Sequence, residues 1–191
     1  MCDVEDRCRR RHAVQRRREP SRLTMGGVMS DLVIRPATFA DLDDLADIWR
    51  ELMSLHETFD ARFALADDAA DRWQALASDM LGREDGCLMT AEHNDKPVGF
   101  CLGWVAQNPA IYKVRQVGFI SEIAVRSGER RQGVGRALVA SAVRWFEEQG
   151  LAEFQLSTAI WNEDARRFWQ SLGGEELLVR YRFELSPRVE D

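Results

Sequence analysis

The chain has 191 residues, of which 45% are hydrophobic and 30% charged, and its net charge is −6. This length predicts one globular domain with a sizeable core, and the composition is ordinary for a soluble, cytoplasmic protein. No apolar run approaches the roughly 20 residues that span a bilayer, which argues against a membrane protein. The acidic body argues against nucleic acid as the main partner, because phosphate contacts need a basic surface.

Residues 1–30 form a basic segment that differs from the rest of the chain. They contain eight arginines and four acidic residues, which gives a net charge of +4. Because the whole chain has a net charge of −6, residues 31–191 carry a net charge of −10. Blocks of charge without apolar periodicity predict a disordered extension, and a secretory signal is excluded because there is no apolar stretch. The folded domain is predicted over residues 31–191. A nucleic-acid-binding protein is an alternative that rests on the basic segment alone.

The predicted elements follow the order β-α-α-β-β-β-α-β-α-β. The strands are predicted at Leu32–Ala37, Cys87–His93, Pro97–Ala106, Val117–Val125, Phe154–Ile160 and Leu177–Leu185. The helices are predicted from a cap at Thr38 or Asp41 through Leu55, from Asp67 to Leu81, from Val134 to Gln149 and from Asn162 to Gly173. Three consecutive strands joined without helices predict an α/β fold whose mixed, mainly antiparallel central sheet is flanked by helices.

The four cysteines are predicted to be reduced thiols. Cys2 and Cys8 lie in the basic segment, whereas Cys87 and Cys101 lie in apolar strands. Because no CxxC pair or Cys/His cluster is present, we expect no metal site.

A glycine-containing turn, residues 130–136, connects the third of the consecutive strands to a helix. The first amides of a helix have no intrahelical acceptor, and the helix dipole places partial positive charge there, so this turn predicts a phosphate or pyrophosphate site. A Rossmann site would need three spaced glycines in an early βαβ unit, and a Walker A loop would need Gly-Lys-Ser/Thr. Neither pattern is present.

Three sequence elements together resemble the GCN5-related N-acetyltransferase (GNAT) family. The first is Arg130-x-x-Gly133-x-Gly135, the second is the Asn-x-x-Ala-x-x-Phe-Trp-x-x-x-Gly pattern over residues 162–173, and the third is the opening Ile-Arg-Pro-Ala-Thr over residues 34–38. The resemblance implies the GNAT fold over most of the domain, with acetyl-CoA as the acetyl donor.

The resemblance also assigns roles to cofactor-binding residues. The strand before the turn would hold the pantetheine arm through its backbone, the amides of the turn would hold the pyrophosphate, and arginines would add charge near the phosphates. Asn162 matches a residue that contacts the cofactor arm, and it is equally suited to cap its helix. The predicted cofactor-binding residues are Ile123, Ala124, Val125, Arg130, Arg131, Gln132, Gly133, Val134, Gly135, Arg136 and Asn162.

The implied reaction is transfer of an acetyl group to a primary amine of a small molecule or peptide, by direct attack in a ternary complex. Glu122, on the strand before the turn, is the candidate general base, and Ser121 is expected to face the other side of the strand. The chain has Trp169 where many family members have a tyrosine that protonates the leaving thiolate, and an indole cannot act as that acid. A non-catalytic acetyl-CoA-binding regulator is therefore the alternative.

The acceptor is expected to bind near the first two helices and the insert at residues 107–116. His56 and Asp60 belong to a His-x-x-x-Asp-x-x-Phe pattern that resembles a broad bacterial subgroup, and Tyr112 lies in the insert. These three are the candidate acceptor-binding residues. Trp49 and Trp73 lie at helical spacing and are predicted to be core residues. The resemblance also allows a homodimer.

Overall fold

The computed structural model describes residues 32–184, so the predicted basic extension lies outside the described residues. The chain divides into two units, one ending at Leu156 and the other beginning at Ser157. In the described part of the chain, no helix is both long and apolar enough to cross a membrane.

The first unit contains one five-stranded sheet with helices on both faces. The strand order is β1-β2-β3-β4-β5, and all neighbours are antiparallel except β4 and β5, which are parallel. Its strands are β1 (Leu32–Pro36), β2 (Gly86–His93), β3 (Lys96–Gln107), β4 (Gln116–Val125) and β5 (Phe154–Leu156). Its helices are α1 (Leu42–Phe59), α2 (Ala69–Gly82) and α3 (Val134–Glu148), and short 3-10 helices lie at Phe39–Asp41, Ala61–Phe63 and Ser127–Glu129.

Helices α1 and α2 cover one face of the sheet. Apolar residues recur along both helices at the three- and four-residue spacing that places them on one side. They pack against the strand residues of the same face and form the main core. The buried residues of this cluster include Leu45, Ile48, Trp49, Trp73, Ala77, Met80, Leu88, Phe100, Leu102 and Ala124.

Helix α3 covers the opposite face of the sheet. Its buried residues are Val134, Leu138, Val139, Ala142 and Phe146. The Phe146 ring lies directly over Gly118 of β4, where a Cβ atom would approach the ring to 2.8 Å. A glycine is therefore required at this position for the helix to reach the sheet.

An ion-pair network fixes the entry into α1. The Arg35 guanidinium binds both carboxylate oxygens of Asp41 at 2.8 Å and also contacts Glu92. Thr38 and Asp41 form a reciprocal capping box at the start of the 3-10 helix that leads into α1. The paired guanidinium lowers the pKa of Asp41 to about 2.

The second unit contains α4 (Glu163–Gln170), which begins at a side-chain cap. Oδ1 of Asn162 accepts the backbone N–H of Ala165 at 3.0 Å, as the sequence predicts for an N-cap. The prediction of a strand from Phe154 to Ile160 is correct only as far as Leu156.

The predicted last strand, Leu177–Leu185, is not present in the described residues. Residues 171–184 contain no strand, and Leu185 lies outside the described residues. The alternating apolar side chains of this segment are exposed, with Tyr181 at 78% and Phe183 at 82%. An alternating pattern creates a strand only where a neighbouring strand accepts its backbone hydrogen bonds, and the described part of the second unit supplies none.

Candidate active site

A β-bulge in β4 sets the direction of the side chains around Glu122. Leu102 of β3 pairs with Glu122, but the next residue, Gly103, pairs with Ile120, so Ser121 is the extra residue. Strict alternation would place Ile120 on the same face as Glu122. The bulge instead sends Ile120 to the α3 face and leaves Glu122 facing α1 and α2.

The Glu122 carboxylate accepts a hydrogen bond from a tryptophan of α2. Nε1 of Trp73 donates to Oε2 of Glu122 at 2.7 Å. Trp73 is 3% exposed, and Glu122 is half-buried. Both are therefore held in the core layer between the sheet and the helices, where few water molecules reach the carboxylate.

Burial raises the pKa of Glu122, because desolvation penalises the charged form. The indole N–H of Trp73 and, to a smaller extent, the Trp49 indole oppose this rise by stabilising the carboxylate. Glu122 has no ion-pair partner among the described residues. The carboxylate is therefore more basic than an exposed glutamate, which makes it a better proton acceptor.

Trp49 is the second indole at this site. Its ring stacks on that of Trp73 with centroids 5.6 Å apart. Nε1 of Trp49 is the one buried side-chain nitrogen or oxygen without a hydrogen bond of normal geometry in the described part of the chain. A buried polar group without a partner is costly, and such groups are concentrated at functional sites.

The backbone of β4 beyond the bulge has an unpaired edge. β5 pairs only with Gly118, Phe119 and Ile120, so its ladder ends before Glu122. Residues 122–125 are paired with β3 on one side and, within the described residues, with no strand on the other. Ile123, Ala124 and Val125 lie along this open edge.

The turn between β4 and α3 presents unpaired backbone amides. The first hydrogen bond that closes α3 runs from Ala137 N to Gly133 O. Among the described residues, the amides of Gln132, Gly133, Val134 and Gly135 have no backbone or side-chain acceptor. Amides at a helix N-terminus that lack an acceptor form an anion site.

Two residues of this turn have left-handed backbone conformations. Gly133 is the N-cap with φ of 87°, and a Cβ there would meet nothing within 4 Å. The glycine is thus favoured by its backbone conformation and not by lack of space. Arg131 has φ of 62°, which is unusual for a residue with a Cβ and indicates local strain at the turn.

The loop that leads into the turn is braced by side chains on both sides. Nε of Arg130 donates to Val125 O at 3.0 Å, so this arginine stabilises the loop in addition to carrying charge. Arg126 donates from Nη1 to Glu51 of α1 at 3.0 Å and from Nε to Pro97 O at 3.2 Å. The sequence reading did not identify Glu51 or Arg126 as contributors to this loop.

The three acceptor candidates lie apart from the Glu122–Trp73 hydrogen bond. His56 is half-buried against Phe59 and Phe63, and burial lowers its pKa. Asp60 caps the following 3-10 helix by accepting from the backbone of Arg62 at 2.9 Å. Tyr112 is 56% exposed in the insert between β3 and β4.

The remaining predicted residues are distributed over the two units. Arg131, Gln132 and Arg136 are exposed at the turn, and Val134 is buried beneath it. Asn162 is 9% exposed and caps α4, the structural role that the sequence allowed for it. Residues 32–184 contain no cluster of three or more His, Cys, Asp or Glu side chains arranged to hold a metal ion.

The hydrogen bond from Trp73 to Glu122 is the contact that the sequence did not predict, and Trp49 stacks on the Trp73 ring. Both were expected to be core residues, and both are buried as expected. A buried indole N–H needs an acceptor, so two tryptophans on the core face of helices indicate a buried acceptor opposite them. The sequence contained this signal but did not identify Glu122 as the acceptor.

Comparison with known proteins agrees with the fold and the motifs. A family model described as the acetyltransferase (GNAT) family matches residues 43–173. An uncharacterised N-acetyltransferase of Methanocaldococcus jannaschii is 27% identical over 146 residues, which cover 75% of this chain and 60% of the relative. The chain therefore matches less than two thirds of the length of that relative.

Two solved structures illustrate the similarity of fold. A tetramutant of the BH1408 protein of Bacillus halodurans has a TM-score of 0.69 at 20% identity, with coverage of 80% of this chain and 99% of that one. The aminoglycoside N-acetyltransferase AAC(6')-Iy, in complex with CoA, has a TM-score of 0.65 at 22% identity, with coverage of 81% and 95%. Together with the motif at residues 130–135 and the family match, these similarities identify the chain as a member of the GNAT acetyltransferase family.

Proposed function

We propose that this protein transfers an acetyl group from acetyl-CoA to a primary amine of a small molecule or peptide. The observation that carries this proposal is the Glu122 carboxylate, which lies on the strand that leads directly into the turn of unpaired amides. A basic group and an anion site are thus connected by the last residues of β4 and the loop that contains the 3-10 helix at Ser127–Glu129. Activity, acceptor and partners are all part of the proposal.

The turn has the hydrogen-bond donors and the positive charge that binding of the CoA pyrophosphate requires. The amides from Gln132 to Gly135 have no other acceptor, and Arg130 and Arg131 provide positive charge nearby. Hydrogen bonds to a charged acceptor contribute roughly 1.5–3 kcal/mol each. Four such bonds account for micromolar affinity without a specific side chain.

Glu122 addresses the main chemical difficulty, which is the protonation of the acceptor. An amine with a pKa of ~10.4 is neutral in only about one molecule in a thousand near pH ~7.4. Finding the neutral form therefore costs roughly 4 kcal/mol unless a base takes the proton. Burial raises the pKa of Glu122 and so makes this carboxylate a stronger base than an exposed glutamate.

Acetyl-CoA would supply the acetyl group as a thioester. The amine nitrogen forms a bond to the carbonyl carbon as the carbon–sulfur bond breaks, and Glu122 takes the proton that the amine loses. A thiol with a pKa of ~8.5 is a good leaving group, so the thiolate can take its proton from solvent. This step does not require an acid at Trp169.

The acceptor is proposed to be a small-molecule or peptidic amine. One structural neighbour is an aminoglycoside N-acetyltransferase, which supports an amine acceptor at the level of the fold. On the face that carries Glu122, the next cross-strand pair is Trp104 and Phe119, whose ring centroids lie 5.2 Å apart. Both rings are half-buried and offer an aromatic surface to a cationic amine.

The test measures thiol release from acetyl-CoA in the presence of a panel of amines. We expect at least one amine to stimulate release, and Glu122→Gln to reduce kcat by about a hundredfold, a typical contribution of general-base catalysis. Binding of acetyl-CoA to the variant should be unchanged, because the turn is intact. Full turnover in Glu122→Gln would overturn the assignment of the base.

A regulator that binds acetyl-CoA without turnover is the second candidate. It is favoured by Trp169, which is half-buried in α4 against Phe168 and has no acidic proton to give. Tight binding of acetyl-CoA in calorimetry, with no thiol release for any amine of the panel, would support the regulator.

A further inference from the structure

We propose that Trp73 is a positioning residue that holds the carboxylate of Glu122 in the orientation needed for proton transfer. The proposal rests on the proposed function, in which Glu122 is the base. It assigns to the indole N–H a role beyond filling the core. Trp73 itself need not touch either substrate.

The Trp73 ring is locked in place on both of its sides. It stacks on Trp49 of α1, with centroids 5.6 Å apart and planes inclined by 21°. It also contacts Phe100 of β3 at a centroid distance of 5.3 Å. A ring that is packed in this way cannot turn, so its N–H points in one direction and fixes Oε2 of Glu122 at 2.7 Å.

The backbone of Glu122 is constrained from the strand side. The bulge at Ser121 aims Glu122 at the helices, and the pairing of Glu122 with Leu102 holds its main chain. The sheet thus fixes the backbone of Glu122, and the indole of Trp73 fixes one oxygen of its carboxylate. Within the described residues Oε1 makes no hydrogen bond of normal geometry, and the Trp49 indole stabilises the carboxylate to a smaller extent than Trp73 does, so Oε1 is the oxygen that would accept a proton.

The hydrogen-bond donor to Glu122 is a neutral indole, and its lack of charge preserves the basicity of the carboxylate. The elements packed around Glu122 present Trp49 from α1, Trp73 from α2 and Leu102 from β3. Of the titratable residues further along α1, Glu51 binds Arg126, Glu57 accepts from the Leu65 backbone, and His56 contacts Phe59 and Phe63. A cation in place of the indole would stabilise the carboxylate strongly and weaken it as a base, whereas an indole N–H orients it with a smaller loss of basicity.

The first experiment compares Trp73→Phe with the wild-type enzyme. Phenylalanine keeps an aromatic ring but removes the N–H. We expect kcat to fall roughly tenfold, as for the loss of one hydrogen bond to a charged group, with an unchanged KM for acetyl-CoA. Because the bond stabilises the ionised form, its loss should also move the acid limb of the kcat profile toward higher pH.

Trp49→Phe is the matched control. It also removes one indole from the same stacked pair, and Trp49 is 5% exposed, close to the 3% of Trp73. Nε1 of Trp49 makes no hydrogen bond of normal geometry, so this variant should lose thermal stability to a similar degree with a clearly smaller change in kcat and in the acid limb. An equal or larger change in Trp49→Phe would overturn the positioning role.

A double-mutant cycle separates positioning from packing. If Trp73 acts through Glu122, then Trp73→Phe should have no further effect on kcat in a Glu122→Gln background. If Trp73 only supports the core, it should lower kcat by the same factor in both backgrounds, and the proposal fails.

A measurement on the wild-type protein covers the case in which Trp73→Phe does not fold. One tryptophan indole N–H resonance should shift with pH at the midpoint of the acid limb of kcat. The same resonance should lose this titration in Glu122→Gln. Absence of any indole that titrates at that midpoint would overturn the proposal.

The failure of this inference can be told apart from the failure of the proposed function. Turnover that depends on Glu122 but not on the Trp73 N–H would remove only the positioning role. Absence of thiol release with every amine would remove the proposed function itself, before the Trp73 variants are compared.

Discussion

The loop and turn at residues 126–136 lie close to the Glu122 carboxylate along the chain, but the two regions are built in different ways. The turn is local, exposed and made mainly of backbone, with its amides oriented by the start of α3. The carboxylate site is half-buried and depends on side chains from α1, α2, β3 and β4. One region is specified by neighbours in sequence and the other by the tertiary packing.

This difference predicts how each region responds to substitution. An anion site of backbone amides needs only a glycine of the right conformation and a helix that begins there. A carboxylate whose basicity depends on burial needs every packed neighbour to stay in place. We therefore expect changes at the turn to affect cofactor binding alone, and changes around Glu122 to affect stability and turnover together.

The largest effect is expected for Gly133→Glu. The substitution places a negative charge at the amides proposed to hold the pyrophosphate, and it forces a side chain onto a backbone with φ of 87°. Affinity for acetyl-CoA should fall more than a hundredfold, about 3 kcal/mol, which is the loss of one or two charged hydrogen bonds plus repulsion. Calorimetric titration with acetyl-CoA measures this change.

Gly150→Glu is the matched control at the other end of α3. Gly150 also has a positive φ of 78° and nothing within 4 Å of a built Cβ, so the strain and the charge are similar. It should cost stability but leave the affinity for acetyl-CoA within about twofold. Equal loss of binding in both variants would mean that the effect arises from unfolding and not from the turn.

The turn was predictable from sequence because its chemistry is local. Glycines after an apolar strand and before an amphipathic helix indicate both the left-handed Gly133 and the free amides. The cap at Asn162 was predictable for the same reason. The faces of α1, α2 and α3 likewise follow from their apolar periodicity.

The surroundings of Glu122 were not predictable in this way. The sequence identifies Glu122 as a carboxylate near the turn, but its partner Trp73 is 49 residues away and on another element. The bulge at Ser121 has no signature in the sequence, because one extra residue in a strand looks like any other. Residues 177–184 show the opposite situation. Their alternating apolar pattern predicts a strand, but none forms because no partner strand is present among the described residues of the second unit.

A smaller effect, a pH-dependent gain in the free energy of unfolding, is expected for Glu122→Gln. Because burial raises the pKa of Glu122, the native state binds its proton more tightly than the unfolded state does. The contribution of this group to stability therefore decreases as pH rises from the ordinary glutamate range through the raised pKa. Glutamine removes this penalty and keeps a carbonyl oxygen for Trp73, so the variant should be more stable than wild type near pH ~8.

Thermal melts at two pH values measure this effect. The difference in Tm between Glu122→Gln and wild type should be larger near pH ~8 than near pH ~4, with about 2–4 °C for each kcal/mol of penalty removed. Glu147→Gln, on the exposed surface of α3, should change Tm little at either pH. A lower Tm for Glu122→Gln at the higher pH would contradict the burial penalty.

The smallest effect is expected for Glu51→Gln, which tests the contacts of Glu51 that join α1 to the loop before the turn. Glu51 binds Arg126 at 3.0 Å and accepts from the Ser127 N–H at 3.4 Å, and the side chains are 38% and 33% exposed. Exposed pairs of this kind contribute about 1 kcal/mol or less. Affinity for acetyl-CoA should therefore fall by no more than about fivefold, and salt should reduce the difference from wild type.

Asp47→Asn separates this link from a general effect of charge on α1. Asp47 contacts Arg50 on the same helix and lies on its exposed surface, so the variant removes a like charge without touching the loop. Asp47→Asn should leave the affinity for acetyl-CoA unchanged. In both Asp47→Asn and Glu51→Gln, kcat should stay constant because Trp73 and Glu122 are undisturbed. A fall in kcat for Glu51→Gln would mean that α1 transmits the change to the carboxylate, and the two regions would then be one coupled unit instead of two separately built ones.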